Sequence, residues 1–294
     1  MIFLLLIFLG FLLGSDGFDL ISFAKVAPIF SIAGSLFLFS SGLELSLSDL
    51  KEEFSKKFIL SIAFFFVPIA IAYFLLTYLF TNTAGDHVFF VAMALSVTAL
   101  PVIIQILKEN KLNTTILGKS IISYAIFSDI FAWLLFSFML PQDHVSSWLI
   151  SHLAVILFFA GILLSRFNTK LNLLHISSKF LWAPLFFIGL GMSIHLSKSF
   201  SALSFFAILF LAISSKSFTV YIFGRIAGYR SVTLDALTVS LNARGAMAIL
   251  LAHFAFQAAI IDETILTSFV LMSLLTSAFA SIFFAIKKKQ LATL

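Results

Sequence analysis

The sequence predicts an all-α fold: a polytopic membrane protein of about ten transmembrane helices, built as a 5+5 inverted repeat with two discontinuous helices. Three observations predict it. The composition is apolar and poor in charge, the basic residues between the apolar segments fall almost wholly on one face, and the chain matches itself at an offset of about 150 residues.

The 294 residues are 61% hydrophobic and 11% charged, with a mean hydropathy of +1.14. A soluble domain is about half apolar and about a quarter charged, so this balance belongs to a chain that crosses a membrane repeatedly. The absence of cysteine excludes disulfides, thiolate catalysis and Cys-ligated metal. The net charge of +5 does not mark a nucleic-acid partner, because the charge is distributed between apolar segments. Met1–Gly14 has no basic leading region and no small-residue cleavage site, which reads as a first span rather than a cleaved signal peptide. No polar stretch is long enough for a soluble domain. The expectation is one transmembrane domain over 1–294, with repeat 1 at about 1–140 and repeat 2 at about 147–288.

A helix needs about 20 predominantly apolar residues to cross the hydrocarbon core. With charge clusters as boundaries, spans fall at roughly 1–14, 25–47, 58–80, 88–107, 118–140, 147–165, 180–197, 202–224, 232–257 and 264–286. The first is short, and Pro28 and Pro101 interrupt the second and fourth. The loops then test the count. Lys51, Lys56 and Lys57 follow the second span; Lys108, Lys111 and Lys119 follow the fourth; Arg166, Lys170 and Lys179 follow the sixth. Arg225 and Arg230 follow the eighth, and Lys287, Lys288 and Lys289 follow the last. The other face keeps Lys25 and Lys198 against Asp16, Asp19, Asp86, Asp143, Asp262 and Glu263. A miscounted span would scramble this separation, and the positive-inside rule puts both termini in the cytoplasm. Only Lys216 and Arg244 remain, both inside spans.

The repeat pairs LFLFSSGLELSLS (36–48) with LFFIGLGMSIHLS (185–197), matching Gly42 to Gly191. LGFLLG (9–14) pairs with AGILLS (160–165), and the span holding SVTALP (96–101) with the one holding NARGAM (242–247). Corresponding spans lie five apart, an odd number, so the halves have opposite orientation. Secondary transporters recurrently use this device, with the substrate site near the midplane. A bundle duplicated without transport function is the alternative.

Polar residues inside the spans mark that site. Pro101 removes a backbone N–H in span four, and Ser96 and Thr98 precede it with hydroxyls for freed backbone groups or an ion. Asn242, Arg244 and Gly245 supply the equivalent irregular stretch in span nine. Such backbone is tolerated at depth only when buried in protein or lining a cavity. Asp129 stands in an otherwise uncharged segment, at a cost of a few kcal/mol, and an intramembrane carboxylate is a functional candidate by default. Its hard oxygens suit a small hard cation. A carboxyl group removed from water also exchanges protons near neutral pH, so one site can hold either a proton or a monovalent cation. The structural alternative pairs Asp129 with a buried base, Lys216 or Arg244. Its counterpart in the second half falls near Leu274. Glu44 reads as interfacial, and His195 and His253 read as bundle residues rather than ligands.

SVTALPVIIQILKENKL (96–112) followed by FSDIFAW (127–133) resembles the monovalent cation:proton antiporter-2 family, most of all its plant cation/H⁺ exchanger-like and bacterial Na⁺/H⁺ antiporter members. LFFIGLGMSI (185–194), the Lys216 segment, LNARGAM (241–247) and SFVLMSLLTS (268–277) continue the likeness in order over nearly the whole chain. The resemblance implies a Na⁺/H⁺ antiporter-like fold and exchange of Na⁺ or K⁺ for H⁺, by an elevator-like movement of a core domain against a dimerisation domain. It implies that Asp129 is the ion-binding aspartate, with Ser128 and Thr98 beside it. Lys216 matches the family's lysine, and Arg244 and Gly245 match the Arg-Gly pair of the second crossing helix, as Thr98 and Pro101 match the first. A homodimer in the lipid bilayer of a bacterial inner membrane, with no cofactor beyond the transported ions, is the expectation.

Some features depart from the family pattern. Ser128 stands where relatives often carry Asp or Asn and sometimes Gln, and one carboxylate rather than two predicts electroneutral one-for-one exchange. The chain is expected to lack an initial helix, about two helices after Asp129 and a regulatory nucleotide-binding tail. Two other classes of function stand beside exchange. A sodium-coupled organic-anion carrier would want polar cavity residues for its anion. A non-transporting receptor or scaffold would tolerate loss of the Asp129 carboxylate. No nucleophile–base arrangement or metal cluster suggests an enzyme.

Overall fold

A computed structural model describes residues 2–20, 23–43, 54–79, 85–139, 145–165, 181–192 and 199–291, and their regular structure is helical. The helices are α1 (Ile2–Leu13), α2 (Phe23–Leu43), α3 (Phe54–Leu79), α4 (Gly85–Ala94), α5 (Leu100–Glu109) and α6 (Ile116–Met139). They continue with α7 (Val145–Leu164), α8 (Ala183–Met192), α9 (Ala202–Ile226), α10 (Ser231–Asn242), α11 (Ala246–Gln257) and α12 (Glu263–Leu291). Glu44, His195, Asp143 and the loop bases Lys51, Arg166, Lys170, Lys179 and Lys198 lie outside the described residues.

Among the described residues, five stretches are long and apolar enough to cross a membrane: Lys56–Tyr78, Ile116–Met139, Ala202–Ile226, Ser231–Gln257 and Glu263–Leu291. The prolines do not act alike. Pro28 and Pro68 lie inside α2 and α3 without ending them. The interruption expected at Pro28 is therefore not a break, because neighbouring groups in a membrane bundle can serve the freed carbonyl of a proline-bearing helix. Pro101 instead opens a new helix, in the first turn of α5, where its missing N–H would have no intrahelical partner anyway. Residues 95–99 are non-helical between α4 and α5, as are 243–245 between α10 and α11.

Contacts divide the chain into two compact units, each assembled from separate stretches. The first holds Met1–Ser48, Leu140–Ser201 and Phe256–Thr267. In it α2 packs on α7 and α8, and α1 on α8. Glycines let these helices approach to backbone contact. A Cβ on Gly10 would strike the Ile188 carbonyl and stand 3.0 Å from the Gly191 Cα. One on Gly42 would strike the Phe158 carbonyl and stand 3.1 Å from the Gly161 Cα. The sequence repeat matches Gly10 to Gly161 and Gly42 to Gly191, so exchanging the halves turns one contact into the other. Phe37 fills the space beside this contact, with ring centroids 6.3 Å from Phe186 and 5.7 Å from Phe187.

The second unit holds Asp49–Met139, Ala202–Ala255 and Ser268–Leu294. α3 packs on α4, α6 and α9; α6 also receives α4, α5 and α10, and α10 packs on α9. Phe58, Phe65, Phe66, Phe127 and Phe131 join α3 to α6 through ring contacts at 5.1–6.1 Å. Tyr124 of α6 meets Tyr229, in the turn before α10, by a 2.7 Å hydroxyl hydrogen bond. The outer faces are apolar, the reverse of a soluble helix: Leu203, Phe206, Phe210 and Ile213 on α9, and Leu275, Phe279, Ile282 and Ile286 on α12, are all exposed.

The glycine contact between α2 and α7 sets a stability test. Gly42→Leu is expected to lower the stability of the detergent-purified protein by about 1–3 kcal/mol, because backbone rather than a flexible side chain must move. Gly85→Ala, where a Cβ meets nothing within 4 Å, is expected to change it by less than about 0.5 kcal/mol. Thermal unfolding of both variants measures the difference.

Candidate functional site

Two helices stop inside the second unit, and their free ends are served largely by each other. The Ala99 N–H donates to the Ala243 carbonyl at 2.9 Å, and the Thr98 hydroxyl donates to the Leu241 carbonyl at 2.9 Å. A helix end leaves donors or acceptors without intrahelical partners, and away from water each one must be met. Thr98, Leu241, Ala243 and Arg244 are all buried. Gly245 allows the close approach: a Cβ there would strike Val102 Cγ2 and stand 3.1 Å from the Ala99 Cβ.

Neighbouring helices supply the remaining bonds. On α6, the Ser128 hydroxyl accepts the Thr98 N–H at 3.1 Å. On α12, the Thr276 hydroxyl accepts the Arg244 N–H at 3.2 Å, and the Ser277 hydroxyl donates to the Arg244 carbonyl at 2.8 Å. The Ser96 hydroxyl donates to the Phe65 carbonyl of α3. Two cations finish the carboxyl end of α4. Lys216 of α9 donates to the Ser96 carbonyl at 2.6 Å, and Arg244 Nη1 donates to the carbonyls of Ala94 and Val97 at 3.3 and 3.4 Å. Arg244 Nη2 reaches the Ala212 carbonyl of α9 at 3.0 Å. Positive charge at a helix carboxyl end is favourable because the last carbonyls point there together.

The hydroxyl bonds have a common form. Ser128 serves the first break as Thr276 serves the second, so Asp129, the residue after Ser128, corresponds to Ser277. Sequence alignment points to Leu274 for this counterpart. The hydrogen bonds place it three residues further on, because alignment of leucine-rich helices does not fix which face a residue occupies.

Asp129 is fully buried beside this junction, and neither carboxylate oxygen has a hydrogen-bond partner. Lys216 and Arg244, the bases the sequence offers as its charge partners, donate to backbone carbonyls instead. Lys216 still acts on Asp129 through space, and Arg244 on Lys216. An isolated carboxylate out of water is costly, and a bound proton or cation removes that cost. The chemistry available is thus reversible neutralisation of one carboxylate.

The site residues named from sequence lie in one neighbourhood. Ser96, Thr98, Pro101, Asn242, Arg244 and Gly245 belong to the two breaks and the helix turns beside them, Ser128 and Asp129 to the α6 face against them, and Lys216 to α9. Asn242 donates from Nδ2 to the Ser217 hydroxyl at 3.0 Å and to the Thr238 carbonyl at 2.9 Å. Sequence reasoning did not assign Thr276, Ser277, Ser217 or Thr238. For the α12 pair a signal was present: Ser273, Thr276 and Ser277 share one helix face at i, i+3, i+4 spacing. His253 is also buried, on α11, with its ring 6.0 Å from that of Phe254.

Fold and site together define an integral membrane protein of apolar helices, two of them interrupted around a buried carboxylate. The family model described as the transmembrane part of sodium/hydrogen exchangers matches residues 2–166 and 143–287, and the chain belongs to that family. Cation/H(+) antiporter 20 of Arabidopsis thaliana is 34% identical over 113 residues, 36% of this chain and 13% of its own length. The putative Na(+)/H(+) antiporter YjbQ of Bacillus subtilis is 29% identical over 179 residues, 55% of this chain and 28% of its own length. The chain therefore spans well under half of either relative. The solved structure of the sodium proton antiporter MjNhaP1 from Methanocaldococcus jannaschii matches 98% of this chain and 91% of its own, with TM-score 0.65 and 14% identity, a likeness of fold.

The Arg244 contacts generate a prediction. Arg244→Lys keeps the charge but cannot span carbonyls on two helices with one planar group. At least one buried carbonyl loses its donor, so stability should fall by about 1–3 kcal/mol, read as a lower unfolding temperature of the purified protein.

Proposed function

We propose that this protein is a secondary transporter that exchanges a monovalent cation, Na⁺ or K⁺, for H⁺ by alternating access. Asp129 holds cation and proton in turn. The observation that carries the reading is its fully buried carboxylate with both oxygens unpartnered, in a chain that belongs to an exchanger family. The names of the relatives, cation/H⁺ and Na⁺/H⁺ antiporters, support the same substrates.

The cycle follows from electrostatics. With the carboxylate empty, Lys216 balances it through space from its seat on the Ser96 carbonyl. A cation entering beside Asp129 replaces that balance with a direct ion contact, and Ser128 and Thr98 line the approach. A proton does the same by removing the charge. Each is favoured only when the other is absent, and that mutual exclusion is what couples the two flows. Ser128 adds no second carboxylate, so one charge moves each way and exchange is electroneutral.

Ten spans in two inverted halves, both termini cytoplasmic, and a homodimer in a bacterial inner membrane without resident cofactor complete the proposal. The exchangeable glycine contacts and the matching Ser128 and Thr276 bonds support the inverted halves. The basic loops support the orientation.

Everted vesicles or liposomes with Na⁺, K⁺ or Li⁺ added separately test the reading. Wild type is expected to show cation-dependent proton flux without generating a membrane potential, and Asp129→Asn is expected to abolish it. Indistinguishable traces for the two would defeat the antiporter reading; flux accompanied by a potential would defeat electroneutrality. Because one carboxylate serves both ions, the KM for the cation is expected to rise in proportion to proton concentration as pH falls into the range where Asp129 is protonated.

A further inference from the structure

The exchange reading uses Asp129 but leaves other buried oxygens unexplained. Asn242 is 8% exposed, and its carboxamide orientation is fixed from the nitrogen side, since the Thr238 carbonyl can only accept. Its Oδ1 is left without a partner. One turn earlier on the same face of α10, the buried Thr238 hydroxyl also has none. Ser273 on α12 also lacks a partner, but most other buried hydroxyls of these helices are held. Those of Ser61, Ser123, Ser215, Thr219, Ser240 and Thr276 each donate to the carbonyl four residues back, the ordinary outlet for a buried helical hydroxyl. Buried polar atoms nearly always have partners, so two orphaned oxygens one turn apart need an occupant.

Their position suggests which one. Leu241, beside Asn242, accepts the Thr98 hydroxyl, and the Thr98 N–H is held by Ser128 next to Asp129. The Asn242 nitrogen is tied to Ser217, the neighbour of Lys216. The oxygen pair therefore lies along α10 from the site, toward the Arg225 and Arg230 end. Thr238 is eight residues, about 12 Å, from Arg230 along the helix. Carboxamide and hydroxyl oxygens are neutral hard ligands, suited to an alkali cation stripped of part of its water, and they hold it without the charge that would trap it.

We propose that Asn242 Oδ1 and Thr238 Oγ1 form a second, neutral cation subsite on the α10 side of Asp129, which receives the ion before or after the carboxylate does. The proposal rests on the exchange reading for the ion's identity. Two measurements separate their failures: cation-dependent proton flux in everted vesicles, and cation-dependent thermal stabilisation of the purified protein, which requires binding but no transport.

Thr238→Val keeps the shape and removes the oxygen; Thr238→Ser restores it. Val is expected to raise both the KM for the preferred cation and its half-stabilising concentration about fivefold, the effect of losing one weak ligand, with a smaller change in maximal rate. Ser is expected to return both to within about twofold of wild type. In the Asp129→Asn background, flux is lost but weak cation stabilisation persists and is removed by Thr238→Val. The subsite is overturned if Val matches wild type in both assays, or if Ser is as impaired as Val. Wild type that binds cations through Thr238 without any flux would sink the exchange reading and leave the subsite standing.

Discussion

Two helices end in the apolar interior of the second unit, and everything about the site follows from having to satisfy those ends. In a soluble protein, water would meet the loose carbonyls and N–H groups. Here the ends meet each other, through the Ala99–Ala243 and Thr98–Leu241 bonds, and the rest is done by side chains. Gly245 keeps this approach close, since a Cβ there would press on the Val102 side chain and the Ala99 Cβ. Arg244 and Lys216 are required because several carbonyls of one helix end point the same way.

That arrangement explains why Asp129 is left alone. The nearby basic groups point elsewhere: Lys216 donates to the Ser96 carbonyl and the Arg244 Nη groups donate to three carbonyls, while the Ser128 hydroxyl accepts the Thr98 N–H. The carboxylate is thus beside positive charge but bonded to none of it. A direct ion pair would lock the site, since separating a buried pair is costly. A charge held one carbonyl away stabilises the carboxylate without occupying its oxygens. The second half has Ser277 at the corresponding place, whose hydroxyl is spent on the Arg244 carbonyl. Of these two corresponding positions, one carries a carboxylate and the other a hydroxyl.

In the first unit the same economy of space takes another form. Gly10 against Gly191 and Gly42 against Gly161 bring helices to backbone contact, and Phe37 packs against the α8 rings beside them. Small residues at crossings are how apolar helices associate where no hydrophobic driving force separates protein from lipid.

The sequence by itself determined the apolar segments, the positions of both interruptions and the lone carboxylate. Each is a local property: a run of hydrophobic residues, a polar stretch within it, a charge without neighbours. It placed Thr98, Asn242, Arg244 and Gly245 at the breaks for the same reason. It did not determine what those residues bind. Pro28 and Pro101 look equivalent in sequence, yet one is absorbed within α2 and the other opens α5. Arg244 reads as a partner for Asp129 and instead holds the ends of α4 and a carbonyl of α9. Thr276, Ser277 and Thr238 read as ordinary helix residues. Only the tertiary structure decided these, because they depend on hydrogen bonds between residues up to 150 apart, and helix periodicity fixes a residue's face without fixing what that face meets.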